Sequence, residues 1–73
     1  MKRQHVKSTV ILSIGYDPET RELEARFINK EIYRYFNVPS EEYEALMKAD
    51  SIGEYFNKIF KSKNYKYTKV EEG

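Results

Sequence analysis

The chain has 73 residues, 40% of them apolar and 34% charged, which is room for one domain and excludes a second. A mean hydropathy of −0.82 and apolar runs as short as Val10-Ile11-Leu12 and Ala45-Leu46-Met47 exclude a span of the roughly 18 apolar residues a membrane helix needs. No cysteine is present, so neither disulfides nor thiolate metal sites hold the fold, and seven Tyr and four Phe must supply much of a small core.

The charged start Met1-Lys2-Arg3-Gln4-His5 is not followed by the apolar stretch of a secretory signal, which sets the expectation of a cytoplasmic protein. Glutamate and lysine far outnumber glutamine and histidine, a bias that hints at a thermophilic source. The net charge of +1 hides an uneven distribution. Residues 1 to 16 carry Lys2, Arg3 and Lys7 and no acid, whereas residues 17 to 57 hold ten acids against five bases. From Lys58 onward, Lys61, Lys63, Lys66 and Lys69 recur without an acid until Glu71, with Tyr65 and Tyr67 among them. Such a segment can contact a polyanion, or can be a solvated lysine tail that adds nothing to stability.

In chain order, Val10, Leu12, Ile14 and Tyr16 alternate with Thr9, Ile11, Ser13 and Gly15, the period of a strand. Asp17-Pro18-Glu19-Thr20 predicts a type I turn, because Pro presets φ and the Asp carboxylate can accept from the amide two residues on. Leu23, Ala25 and Phe27 alternate with charged neighbours, and after Asn29-Lys30 comes Ile32-Tyr33-Arg34-Tyr35-Phe36. The economical reading is a three-stranded antiparallel meander. A two-residue loop at Asn29-Lys30 pairs Arg26 with Tyr33 and Glu24 with Tyr35. It stands both tyrosines beside Arg26 on the face away from the core, at the cost of turning Arg34 coreward. A loop one residue longer exchanges the faces. The shorter loop is adopted here, although Lys30 fits poorly where a positive φ normally calls for Gly.

Val38-Pro39 ends the sheet. Ser40 is a candidate N-cap, followed by Glu41 and Glu42 at the positive end of a helix dipole, with Tyr43, Leu46 and Met47 as the apolar stripe. Ser51 with Glu54 three residues later reads as a capping box. Behind it Ile52, Tyr55, Phe56, Ile59 and Phe60 fall on one helical face. The fold class is α+β: the meander, then two helices packed on one sheet face, with 65–70 free to add a short C-terminal edge strand. The domain is expected over residues 6–67, with 1–5 and 68–73 as flexible ends.

Catalytic chemistry is thinly represented. His5 is the sole histidine, so a metal site would need carboxylates to complete it, and no metal or cofactor is expected. Glu41, Glu42 and Glu44 sit at a helix start, where dipole and solvent account for them. No Gly-rich loop exists to wrap a phosphate. Ser51 and Gly53 form a candidate anion site at the start of the second helix, where backbone amides are unpaired and Gly53 presents no side chain; capping and close packing are the competing use of both residues.

Ser8-Thr9 leading into Ile14-Gly15-Tyr16-Asp17-Pro18, then Leu23 and Phe27, Tyr33-Arg34-Tyr35 with Val38-Pro39, and Ala49-Asp50-Ser51-Ile52-Gly53-Glu54-Tyr55-Phe56-Asn57 together resemble the KTSC domain. That domain takes its name from the C-terminal extension of some lysyl-tRNA synthetases and also occurs as a free-standing protein. The resemblance covers residues 6–67. Two positions depart from it: Lys30 stands where such sequences place Gly, and Thr9 replaces the second of two serines. The synthetase context implies RNA binding.

The expected function is therefore a small, non-catalytic nucleic-acid-binding domain, with RNA or another polyanion as partner. Arg26, Tyr33 and Tyr35 would form the stacking surface, and Lys58, Lys61, Lys63 and Lys66 would contact phosphates. The alternative is a protein-interaction module that docks a partner chain on the aromatic sheet face. Convergence of Tyr33, Ser51 and Asn57 on one pocket would point instead to an enzyme.

Overall fold

The computed structural model describes residues 3–6 and 8–70. Five antiparallel strands form one sheet in chain order: β1 (Arg3–His5), β2 (Ile11–Asp17), β3 (Glu22–Phe27), β4 (Ile32–Tyr35) and β5 (Tyr67–Val70). Two helical segments separate β4 from β5: α1 (Ser40–Lys48) and α2 (Ile52–Tyr55). Among the described residues no helix is long and apolar enough to cross a membrane. The α+β class, the central meander and the C-terminal edge strand agree with the sequence reading. Arg3–His5, assigned above to a flexible end, pairs with Ser13–Gly15 as an edge strand. Met1, Lys2 and 71–73 lie outside the described residues.

The β2–β3 reversal follows from Asp17. Its Oδ1 accepts from the amides of Glu19 at 2.9 Å and Thr20 at 3.4 Å, while Arg21 N–H donates to the Asp17 carbonyl at 2.8 Å. Arg21 closes the loop in the left-handed region, at φ 59°. Along β2 the alternation breaks once. The register shifts between Ile11 and Ser13, so Ile11 is fully buried while Leu12, grouped above with Ile14 and Tyr16, is exposed. One extra residue in a strand changes the phase of the side chains that follow.

The β3–β4 reversal corrects the register. The loop is Ile28-Asn29-Lys30, three residues rather than two. Lys30 N–H donates to the Phe27 carbonyl at 2.8 Å, and Phe27 N–H to the Glu31 carbonyl at 2.9 Å. Lys30 sits at φ 72°, the left-handed position that ends a three-residue hairpin loop. The extra loop residue comes from the β3 side. Ala25 therefore faces Tyr33 and Leu23 faces Tyr35, with Glu24 opposite Arg34 and Arg26 opposite Ile32. Tyr33 and Tyr35 consequently share the core face with Leu23, Ala25 and Phe27. Arg34, expected coreward, lies on the opposite face and grips Glu24 Oε2 through Nε at 3.1 Å and Nη2 at 2.8 Å.

Helix α1 starts at Ser40, the residue expected to cap it. Pro39 holds the cap position, Ser40 is already helical, and its hydroxyl donates to Glu41 instead of accepting from the backbone. Leu46 is buried, with Tyr43 and Met47 packed at the edge of the core. Ser51 does cap α2, accepting from Glu54 N–H at 3.3 Å. Glu54 turns to Lys58 at 2.9 Å, so only half of the capping box forms. The helix then widens into a π-helical turn, Phe56–Phe60, and tightens into a 3₁₀ turn, Lys61–Lys63. Phe56 and Phe60 stack at 4.7 Å and are buried, whereas Ile59 is 42% exposed. The wider turn alters the angular step per residue, which separates Ile59 from the stripe that α-helical spacing predicted.

Two further expectations change. Glu42, assigned above to a solvated helix start, is 5% exposed. Its Oε2 accepts from Tyr55 OH at 3.1 Å and Lys63 Nζ at 2.9 Å, and its Oε1 is buried without a hydrogen bond among the described residues. Lys63 is thus no idle tail residue, because its removal strands a buried carboxylate. The core itself runs from Ile11, Ile14, Leu23 and Ala25 on the sheet to Leu46, Phe56 and Phe60 on the helices.

A left-handed backbone costs a residue with a Cβ about 1–2 kcal/mol. Lys30→Gly should therefore raise stability by about 1 kcal/mol, a gain of about 4–8 °C in Tm for a domain of this size. A thermal melt checks it, and an unchanged or lower Tm would place the strain elsewhere.

Candidate functional site

Because both tyrosines of β4 face the helices, the aromatic surface lies on the core side of the sheet. Along β4 and β5 that side opens into a groove of about 980 Å³. Tyr35, 7% exposed, and Phe60 form its floor. Tyr33 and Tyr65 line it half-buried, and Tyr67 stands at its rim, 62% exposed. Tyr67 is opposite Tyr35 across the β4–β5 pair. The rings hold one another: Tyr33 meets Tyr67 edge-on at 5.7 Å, Tyr35 lies 5.5 Å from Tyr67, and Phe60 5.0 Å from Tyr65.

Charge is distributed unequally along this groove. At the 28–31 turn, Glu31 Oε2 accepts from Tyr33 OH at 2.6 Å, with Lys69 Nζ at 3.7 Å. That hydrogen bond to a carboxylate, with burial second, raises the Tyr33 pKa. Toward the other end of β4, Lys61 and Lys66 line the groove. Lys61 Nζ lies 5.8 Å from the centroid of the Phe56 ring, and neither lysine makes an ion pair among the described residues. Desolvation pushes the Tyr35 phenol up to about 12.

Of the residues expected to bind nucleic acid, Tyr33, Tyr35, Lys61 and Lys66 come together in this groove. The other three do not. Arg26 is on the opposite face, opposite Ser13 and Ile32, with its Nε buried and without a hydrogen bond among the described residues. Lys58 is engaged by Glu54 and Lys63 by Glu42. The flat exposed platform of Tyr33 and Tyr35 beside Arg26 is thereby corrected, since the longer hairpin loop turned both rings over. Tyr65, Tyr67 and Glu31 are groove residues that the site expectation omitted. The aromatic density of the lysine-rich segment carried a signal for the first two.

Ser51 and Gly53 lie in a separate cleft of about 600 Å³, lined also by Ser8 and Asn57. The residues there are used structurally. Ser8 Oγ accepts from the amides of Val10 at 3.1 Å and Ile11 at 3.2 Å, and a Cβ on Gly53 would meet that oxygen at 2.9 Å. Gly53 is thus needed for close approach of the helix to the 8–10 segment, and Ser51 is occupied in capping. Both explain themselves without an anion. Tyr33, Ser51 and Asn57 do not converge, since the tyrosine belongs to the other groove.

The model of the KTSC domain matches residues 7–67. The chain belongs to the KTSC domain family. A crystal structure of a KTSC domain protein from Yersinia pestis superposes with a TM-score of 0.90 at 38% identity, covering 96% of this chain and 97% of that one. An uncharacterised protein of Stutzerimonas stutzeri is 44% identical over 71 residues, which cover 97% of this KTSC chain and all of that protein. A lysine–tRNA ligase of Nostoc punctiforme is 37% identical over 57 residues, 78% of this chain and 10% of the ligase. Sequences similar to this chain thus make up the whole of one relative and a small part of a larger one.

The raised Tyr35 pKa links stability to alkaline pH. Unfolding returns the phenol to its ordinary value near 10, so the unfolded chain releases its proton before the folded one does. The stability that burial of the neutral ring contributes is complete below about pH 10 and is lost as pH rises toward about 12. Melts between these limits should show Tm falling more steeply for the native chain than for Tyr35→Phe. Parallel curves would show that Tyr35 is not the linked group.

Proposed function

We propose that this KTSC domain is a binding module for single-stranded RNA, which enters the groove along β4 and β5. The observation that carries the reading is the combination, in one open groove, of partly exposed phenol rings with two lysines that have no carboxylate partner among the described residues. Unpaired bases stack on aromatic faces whatever their sequence, while cations neutralise the phosphates between them. Tyr67 and Tyr65 offer the accessible ring surface, and Lys61 and Lys66 the charge. Glu31 at the turn end repels phosphate, so the backbone runs past the lysine end and a base occupies the end near the carboxylate.

The lysine–tRNA ligase that contains a related segment acts on RNA, as its name states, which supports the same ligand class. The sequence expectation of an RNA partner is retained, but its surface is not. The stacking rings are Tyr67 at the groove rim and the half-buried Tyr65 and Tyr33, and Tyr35 serves as floor.

Fluorescence anisotropy with a labelled ten-nucleotide uridine RNA tests the reading. Stacking contributes about 1–3 kcal/mol per base, so Tyr67→Ala should weaken binding by at least about fivefold. Two phosphate contacts should give a log–log salt slope of about −1.4, which Lys61→Ala or Lys66→Ala should each reduce by about 0.7. Lys58→Ala, outside the groove, should bind as the native chain does. Absence of binding at low salt, or binding indifferent to both Tyr67→Ala and Lys61→Ala, would overturn the proposal. Binding to a protein partner through the same rings would be nearly independent of salt.

A further inference from the structure

We infer that the groove selects a guanine base, with the Glu31 carboxylate accepting from the two adjacent donors, N1–H and N2–H, on the base's Watson–Crick edge. This rests on the RNA-binding reading above and names what the end near the β3–β4 turn would take. Three observations lead to it. Glu31 is the only acidic side chain that lines the groove among the described residues. Its position is set from two sides, by Tyr33 OH at 2.6 Å and Lys69 Nζ at 3.7 Å, and both act on Oε2. The Glu31 side chain retains about a third of its surface, 36%, and Oε1 carries no hydrogen bond among the described residues.

An ionised carboxylate accepts hydrogen bonds and cannot donate. It therefore discriminates among bases by their donors. Guanine alone presents two N–H donors side by side, matched to two carboxylate oxygens. Adenine and cytosine each present one amine beside a bare ring nitrogen whose lone pair opposes the carboxylate, and uracil presents one N–H between two carbonyls. The hydrogen bond from Tyr33 also fixes where the base would lie, because it ties the carboxylate to the edge of a ring that lines the groove. A base stacked on Tyr67, which Tyr33 meets edge-on, brings its polar edge toward the Tyr33 hydroxyl and Glu31, and the charge-assisted pair forms where water is partly excluded. Asn29, at the same turn, is already committed: its Oδ1 accepts from Glu31 N–H at 3.0 Å, which steadies the backbone that carries the carboxylate.

The experiment compares labelled pentaribonucleotides UUGUU, UUAUU, UUCUU, UUUUU and UUIUU, where I is inosine and lacks only the N2 amine, against the native chain, Glu31→Gln and Tyr67→Ala. A bidentate contact of this kind gives discrimination of at least about fivefold for guanine over adenine. Inosine should fall between them, and Glu31→Gln should reduce the preference to below about threefold. Equal binding of all five RNAs, still sensitive to Tyr67→Ala, would overturn the guanine assignment and leave the groove reading standing. A guanine preference that survives Glu31→Gln would overturn the role of Glu31. Failure of every RNA to bind would overturn both readings together.

Discussion

The left-handed backbone at Lys30 is the constraint on which the rest of this KTSC domain depends. It closes a three-residue loop and so sets the pairing of β3 with β4, and pairing decides which side chains of β4 meet the helices. With Ala25 opposite Tyr33, the phenol rings lie over the core and Arg34 lies over Glu24. A register one residue away would put the guanidinium under the helices and the rings in water. A single φ angle thus chooses between an apolar interior and a buried cation, and the second is excluded by the cost of burying an unpaired charge.

From that choice the aromatic layer follows. Phe56 sits among Phe27, Tyr35 and Phe60, edge-on to the first two and stacked on the third. Edge-to-face and offset contacts of this kind add to what area burial alone supplies. The π-helical turn lets Phe56 and Phe60 present their rings together, which gives the groove its floor. Stability and site therefore share residues. Tyr35 and Phe60 belong to the core by burial and to the groove by position, whereas Tyr65 and Tyr67 belong to the groove and lean on the core at its margin.

Much of this was legible in the residues themselves wherever one local rule operated alone. Asp17 two residues before an amide, Ser51 three before Glu54, and Phe56 four before Phe60 are short-range relations whose outcome no distant contact altered. The hairpin register was different. Lysine is a rare choice at positive φ, so the residue type argued against the conformation that the chain adopts, and only the sum of packing across β3, β4 and α2 outweighs it. The same holds at Leu12, where a bulge overrides alternation, and at Glu42, where a position typical of solvated acids is enclosed by Tyr55 and Lys63 from two other segments. The groove was half legible. Its lysines and tyrosines are dense in 58–67, but which of them face inward depends on β5 pairing with β4, a contact between segments more than thirty residues apart.

The way the lysines are matched has a kinetic meaning. Lys58, Lys63 and Lys69 each neutralise a nearby carboxylate, and the chain as a whole is nearly balanced, so little field extends beyond a Debye length from the surface. An anionic ligand would meet this molecule at the unaccelerated encounter rate of about 10⁵–10⁶ M⁻¹s⁻¹. Any selectivity must then reside in how long a complex lasts once the rings are engaged, and not in how often it forms.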